Sequence, residues 1–222
     1  MRQPSARAAR LRMDIAPSRF VVLCAVSTVG PIAPRDGIDT IILACAMLHQ
    51  CHGVDAMLVV ICGERGDDLG DDRGRDRGRD RGGDSGDDLE LARLGQLARD
   101  LDVARHIRFA ARQPHAALDD YHAAADVFAS TPWHASPAAT SAVAWAMACA
   151  LPVVGAAAGA VAAGAVPAAV RDGVSGYLVP PRDPETLCRY LARLQRQPWL
   201  ARAMGMAGQA HASATPHRKS PA

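Results

Sequence analysis

Short apolar runs alternate along the chain with longer segments in which apolar residues recur every three or four positions. The runs typical of buried strands are 20–26, 56–62, 107–110, 127–130 and 152–155, with a turn and a further short strand within 170–181. The helical spacing covers 37–51, 89–101, 116–124, 138–149, 184–194 and 198–211. Repeated alternation of this kind predicts βα units around a parallel sheet. We therefore expect an α/β fold, a doubly wound Rossmann-like sheet with helices on both faces.

The two ends of the chain differ from this pattern. The first 19 residues are rich in arginine and hold a single acid, Asp14, a composition shared with transit peptides. No apolar signal region follows the basic residues, so a helix or a basic, linker-like segment leading into the first strand is the better interpretation. Residues 212–222 are expected to be a disordered tail. The domain itself is then expected to span 20–211.

Residues 67–88 form a low-complexity insertion of Asp, Arg and Gly. Three functional interpretations are an RNA contact of the Arg-Gly-Gly kind, a calcium loop, and an integrin-type motif at Arg65-Gly66-Asp67. The insertion holds more Asp than Arg, which argues against nucleic acid, and one imperfect turn of a calcium repeat does not make a site. A solvated loop between a strand and a helix is the favoured expectation.

Composition excludes several classes of function. With 222 residues, 49% of them hydrophobic, the chain has enough apolar surface for a substantial core. A net charge of only +2 and 4% aromatic residues argue against a nucleic-acid partner. Every long apolar stretch is broken by charge, Gly or Pro, so no membrane span is expected.

The cysteines carry no recognisable pattern of metal ligands or disulfides. All six lie in apolar runs, which predicts reduced core residues in a cytoplasmic protein. His49, Cys51 and His52 together suggest a metal site, but they close a helix before Gly53, where histidine is favoured by the helix dipole. No metal is expected, and the chain also lacks a serine nucleophile elbow and a Walker loop.

Several blocks resemble, in the right order, the C-terminal domain of glycosyltransferase group 1, family 4, with the GT-B fold. They are LVVICGE, AMACALPVVG and VRDGVSGYLVPPRDPETL, among others, and the resemblance runs from about residue 10 to about residue 208. It implies the donor-binding half of a retaining hexosyltransferase, with a nucleotide-sugar or nucleoside diphosphate as ligand. The family places an acceptor-binding domain before this one, so a separately encoded acceptor domain is an expected partner.

The resemblance implies a diphosphate clamp after the first strand, from a Gly-Arg pair and a Lys-Gly pair. The matching residues here are Gly30-Pro31 and Asp36-Gly37, so both glycines remain and both cations are gone. Arg35 stands beside the missing lysine as a partial substitute. Such charge-assisted contacts contribute about 1.5–3 kcal/mol each.

Other family positions are altered as well. The backbone that contacts the nucleobase corresponds to Ala111, Arg112 and Gln113. Two acids that bind sugar and ribose hydroxyls correspond to Pro137 and Trp145, whose side chains accept no hydrogen bond from a hydroxyl. The Gly-Gly loop becomes GAAAGAVAAGAVPAAV, and its Pro-Glu pair becomes Pro167-Ala168. No catalytic residue is assigned.

The helix start near Thr140 and Ser141 remains as a source of phosphate-binding N–H groups. The alternative is that these groups are simply capped, because Ser136 and Thr140 are both good N-cap residues. His134 is a candidate hydrogen-bond donor to phosphate, or else an ordinary loop histidine. Trp133 and Trp145 are expected to pack rather than to stack on sugar.

Two functions remain open. One is a glycosyltransferase, either a fragment whose other half is encoded separately or a divergent member with weak transfer. The other is a non-catalytic pseudo-glycosyltransferase that acts as a binding or interaction module.

Overall fold

The computed structural model of the chain describes residues 5–25, 32–62, 86–110, 115–134, 137–157 and 170–214. Their strands form one parallel sheet of order β3-β2-β1-β4-β5-β6. The strands are β1 Phe20–Ala25, β2 Ala56–Ile61, β3 Ile107–Ala110, β4 Val127–Ser130, β5 Val153–Ala156 and β6 Gly176–Val179. The predicted doubly wound α/β fold is confirmed, and each predicted strand is present within a few residues of its expected bounds.

Helices connect the strands and flank the sheet. They are α1 Ala6–Arg12, α2 Ile38–His52, α3 Gly86–Asp100, α4 His115–Ala124, α5 Pro137–Ala148, α6 Pro184–Arg196 and α7 Pro198–Ala214. Helix α2 ends at Gly53, whose φ of +61° lets its N–H reach back to the last carbonyls of the helix. Helix α6 begins after Asp183, whose carboxylate accepts the N–H of Thr186 at 2.9 Å, with Pro184 in the first position.

The core lies on both faces of the sheet, as the continuous apolar strands require. On one face, Val22 and Leu58 pack with residues of α2 and α6 such as Ile41 and Leu187. On the other face, the side chains at the alternating positions of the strands, including Leu23, Val59 and Phe128, pack against Val143 and Met147 of α5. The two helix layers therefore hold the strands rigidly at the edge where their carboxyl ends emerge.

Two segment boundaries differ from expectation. The insertion was expected to remain a loop through Asp88, but α3 already begins at Gly86. The tail was expected to begin at residue 212, but α7 continues to Ala214. Helices propagate cheaply once they are nucleated, and Asp87 and Asp88 stand in the first turn of α3, where acidic residues are favoured. Residues 67–85 and 215–222 lie outside the described residues.

The basic N-terminal stretch packs on the domain. Helix α1 lies against α4, and its Arg10 is buried. The guanidinium donates to the carbonyls of Ala124 at 2.9 Å and Pro17 at 2.6 Å, and it pairs with the carboxylate of Asp126 at 2.7 Å. An arginine that composition alone would place in solvent therefore ties α1 to the start of β4.

The cysteine prediction is partly wrong. Cys24, Cys45 and Cys188 are buried thiols, and burial raises the pKa of Cys45 to about 12. Cys51, however, is exposed on the last turn of α2, because that turn projects beyond the core. Cys62 and Cys149 are half-buried, and none of the six cysteines forms a disulfide.

Candidate functional site at the carboxyl edge of the sheet

The strand order creates a crevice between two central strands. β1 pairs with β4, while the chain continues from β1 toward β2 on one side and from β4 toward β5 on the other. The loops that follow β1 and β4 consequently diverge at the carboxyl edge of the sheet. Ligands of doubly wound folds bind at such a switch point.

Hydrogen bonds join these two loops across the crevice. The hydroxyl of Thr131 donates to the carbonyl of Gly37 at 2.8 Å. The backbone N–H of Trp133 donates to the carbonyl of Arg35 at 3.1 Å, and its indole N–H donates to the carbonyl of Pro34 at 2.9 Å. The crevice is therefore a defined structure on its described sides rather than two independent loops.

Gly37 is required by both the conformation and the spacing of the crevice. Its φ is +73°, a left-handed conformation that side chains with a Cβ disfavour. A Cβ at this position would lie 2.0 Å from the carbonyl oxygen of Thr131. The glycine that the resemblance assigned to the clamp thus allows the two loops to meet.

Asp36 stands where the resemblance places a lysine, and its carboxylate has a structural role. It closes the short turn Pro34–Asp36 by accepting the N–H of Ala33 at 2.9 Å. A second carboxylate, that of Asp39, lies in the first turn of α2, accepts the N–H of Thr40 and lies 3.6 Å from Arg93. The start of α2 therefore offers its dipole and backbone N–H groups to an anion, but with two acids nearby.

Arg35 and His134 come together in the structure. Nδ1 of His134 lies 3.2 Å from the carbonyl oxygen of Arg35, and Arg35 is exposed. Both predicted residues are thus placed at the mouth of the crevice beside Gly37. Their roles toward a ligand stay predictions.

The other predicted site residues are placed less centrally or not at all. Helix α5 begins at Pro137, so Thr140 and Ser141 are its fourth and fifth residues, at the end of the first turn rather than at the start. Gly30, Arg112 and Gln113 lie outside the described residues, as does Ser136.

Trp133 and Trp145 pack on other side chains, as predicted. Trp145 stacks on His122, with 6.0 Å between ring centroids. Trp133 carries the guanidinium of Arg182 over its ring, 3.7 Å from the centroid. The sequence reasoning missed Arg182. The available signal was its position directly after an apolar run and before Asp183-Pro184, which predicts a loop at the carboxyl edge.

The described residues contain neither a metal-binding group nor a membrane-spanning helix. No group of three or more His, Cys, Asp or Glu side chains is arranged to hold a metal ion in these ranges. No described helix combines the length and apolarity that a membrane crossing requires.

Comparison with known proteins identifies relatives across most of the chain. The profile of the family described as glycosyl transferases group 1 matches residues 25–211. The D-inositol 3-phosphate glycosyltransferase of Segniliparus rotundus is 33% identical over 205 residues, which cover 92% of this chain and 38% of the relative. That of Corynebacterium jeikeium is 31% identical over 188 residues, covering 85% of this chain and 39% of the relative. The chain spans less than two fifths of the length of these relatives.

Solved structures share the fold. The C-terminal domain of a glycosyl transferase group 1 family protein from Francisella tularensis matches with a TM-score of 0.69 and 18% identity, over 94% of this chain and 91% of that one. Anabaena HepE in complex with UDP-glucose matches with a TM-score of 0.70 and 20% identity, over 94% of this chain and 47% of that one. The profile match, which extends from the end of β1 into α7, and the relative 33% identical over 92% of the chain show that the chain belongs to the glycosyl transferases of group 1.

Proposed function

We propose that this chain binds the diphosphate of a nucleotide-sugar at the crevice between β1 and β4, as the donor-binding part of a retaining hexosyltransferase. The observation that carries the proposal is the close joining of the two loops at Gly37 beside the first turn of α2. The family membership and the UDP-glucose bound to Anabaena HepE support the choice of ligand. An acceptor-binding domain, supplied separately, is part of the same proposal.

The chemistry of the crevice supports binding more than fast transfer. Sugar transfer places negative charge on the leaving diphosphate, which needs cations or oriented N–H groups. The first turn of α2 offers N–H groups, but Asp36 and Asp39 lie beside them. Their repulsion weakens the affinity for a diphosphate, so we expect weak binding of UDP or GDP and little transfer.

The second candidate function, a non-catalytic binding module, is favoured by a specific observation. Where the resemblance places two acids, Pro137 begins α5 and Trp145 stacks on His122. Neither residue offers the sugar an acceptor. Under this alternative the crevice keeps its nucleotide affinity, or loses it, without any transfer activity.

Restoring the missing cation tests where the diphosphate binds. We expect Asp36→Lys to tighten UDP and GDP binding by about tenfold or more, since it removes a repelling charge and adds a charge-assisted contact. Asp36→Asn should give an intermediate affinity. Isothermal titration calorimetry of the three proteins provides the measurement.

A matched control places the same charge change elsewhere. Asp100 is exposed at the end of α3, toward the opposite edge of the sheet, so Asp100→Lys should leave the affinity unchanged. Equal tightening by both lysines would mean that only net charge matters. No tightening by Asp36→Lys would place the diphosphate away from this loop.

A further inference from the structure

We propose that Arg182 is a phosphate-binding residue of this chain, held in place by Trp133 and supplying a cation in addition to Arg35, where the resemblance expects two cations in the loop after β1. The inference rests on the proposed function, because it names a residue for the same diphosphate. Three features of the described structure carry it: the position of Arg182, the fixed orientation of Trp133 and the unused donors of the guanidinium.

The position of Arg182 brings a third loop to the crevice. Arg182 follows β6 by three residues, and β5 separates β6 from β4 in the sheet. Because its guanidinium lies 3.7 Å from the ring centroid of Trp133, the side chain crosses above the carboxyl end of β5. Loops that follow β1, β4 and β6 therefore meet around one indole ring.

Trp133 holds that ring in a fixed orientation. Its backbone and indole N–H groups both donate to the turn Pro34–Asp36, at the carbonyls of Arg35 and Pro34. A guanidinium stacked on this ring is thereby held by a residue that is fixed to the turn Pro34–Asp36, the turn in which the resemblance expects a lysine. A stacked guanidinium keeps its planar edge available, which suits bidentate binding of phosphate.

The donors of Arg182 are unused within the ranges that the structure describes. Neither a hydrogen bond nor an ion pair engages its guanidinium there, which lies over the Trp133 ring. The neighbouring carboxylate of Asp183 accepts the N–H of Thr186 instead. The guanidinium therefore has N–H groups to offer an anion, and no described carboxylate is paired with it.

The backbone gives no reason for an arginine at this position. Arg182 has a φ of +58°, in the left-handed region where glycine is favoured. The left-handed backbone separates the effect of Arg182→Gly on stability from its effect on binding. Relief of the backbone offsets the lost ring contact, so the thermal midpoint should be unchanged or higher, while diphosphate binding should weaken.

Calorimetric titration with UDP, GDP and uridine tests the inference. We expect Arg182→Gln to raise the Kd for UDP and GDP about tenfold, to leave any uridine binding unchanged, and to leave the fold intact by circular dichroism. Arg182→Lys should keep part of the affinity. The matched control is Arg189→Gln, since Arg189 is also exposed and its guanidinium lies 5.7 Å from the ring centroid of Tyr190, on α6.

The outcomes separate this inference from the proposed function. Equal diphosphate binding by the unaltered protein and Arg182→Gln would overturn the role of Arg182 and leave the donor site standing. An equal loss with Arg189→Gln, or an equal loss of uridine binding, would also overturn it. Absence of diphosphate binding by the unaltered protein would overturn the proposed function and this inference with it.

Discussion

Replacing Gly37 with alanine is expected to destabilise the protein by about 3 kcal/mol and to abolish nucleoside diphosphate binding. Two costs add: the left-handed backbone at φ +73° disfavours a Cβ by about 1–2 kcal/mol, and the new atom would lie 2.0 Å from the carbonyl oxygen of Thr131. That oxygen belongs to backbone, so the two loops must separate. In a domain of this size the melting temperature should fall by about 6–12 °C.

Gly53 provides the matched control for this variant. Its φ is +61°, but a Cβ there would find nothing within 4 Å. Gly53→Ala should therefore show the backbone cost alone, a fall in melting temperature of about 2–6 °C, with unchanged ligand binding. Equal destabilisation by the two variants, measured by differential scanning calorimetry, would show that the contact between the loops contributes nothing.

The second large effect concerns the N-terminal helix. We expect Arg10→Met to destabilise the fold by about 2–4 kcal/mol near pH 7. It takes the guanidinium from the carbonyl of Ala124 and from the carboxylate of Asp126, which keeps the N–H of Val21. The estimate lies below that for a fully buried pair, since Asp126 is partly exposed to solvent. Arg12→Met, on the same helix, breaks the exposed pair with Asp120 and should cost much less, because solvent screens an exposed ion pair.

The pH dependence of the Arg10→Met effect follows from Asp126. Burial raises the pKa of this carboxyl above its ordinary value, although Arg10 and the N–H of Val21 act to lower it. A raised pKa means that the protonated form stabilises the fold below the unfolded-state value, and that this stabilisation is lost as pH rises through the folded-state pKa. Without Arg10 the pKa rises further, so the cost of Arg10→Met should be largest near pH 7 and smaller near pH 4.

Urea unfolding at several pH values measures this dependence. Asp126→Asn should remove most of it, because the amide cannot titrate but still presents an oxygen to the N–H of Val21. A cost of Arg10→Met that is independent of pH would mean that lost packing of α1 destabilises the variant, rather than the charge of Asp126 left without its guanidinium partner.

The fold could be predicted from the sequence because its elements are strongly patterned. The strands at 107–110 and 127–130 were predicted with the bounds that the structure shows, since short runs rich in apolar residues indicate strands, although β3 is only partly buried. Cys51 was placed in the core because an apolar run does not tell which side of a final helical turn faces solvent. Arg10 was placed in a basic linker because composition does not reveal a partner over a hundred positions away in the chain.

The candidate site was predictable only in part, and for a related reason. Gly37 was found because the resemblance assigns a glycine at that position, and the structure supplies the physical cause. Arg182 was missed because its contact with Trp133 depends on the order of β4, β5 and β6 in the sheet. Local pattern identifies loops at the carboxyl edge but does not tell which of their side chains meet.

A nucleoside diphosphate is expected to bind at the crevice between β1 and β4. Two-dimensional amide correlation NMR spectra of the unaltered protein, recorded while UDP or GDP is added, test it most directly. We expect progressive shifts of the backbone amides of residues 35–40 and 131–134 and of the indole N–H of Trp133. Amides near Asp55 and Asp100, at the opposite edge of the sheet, should change little. Unchanged spectra at millimolar nucleotide, or shifts confined to that opposite edge, would contradict it.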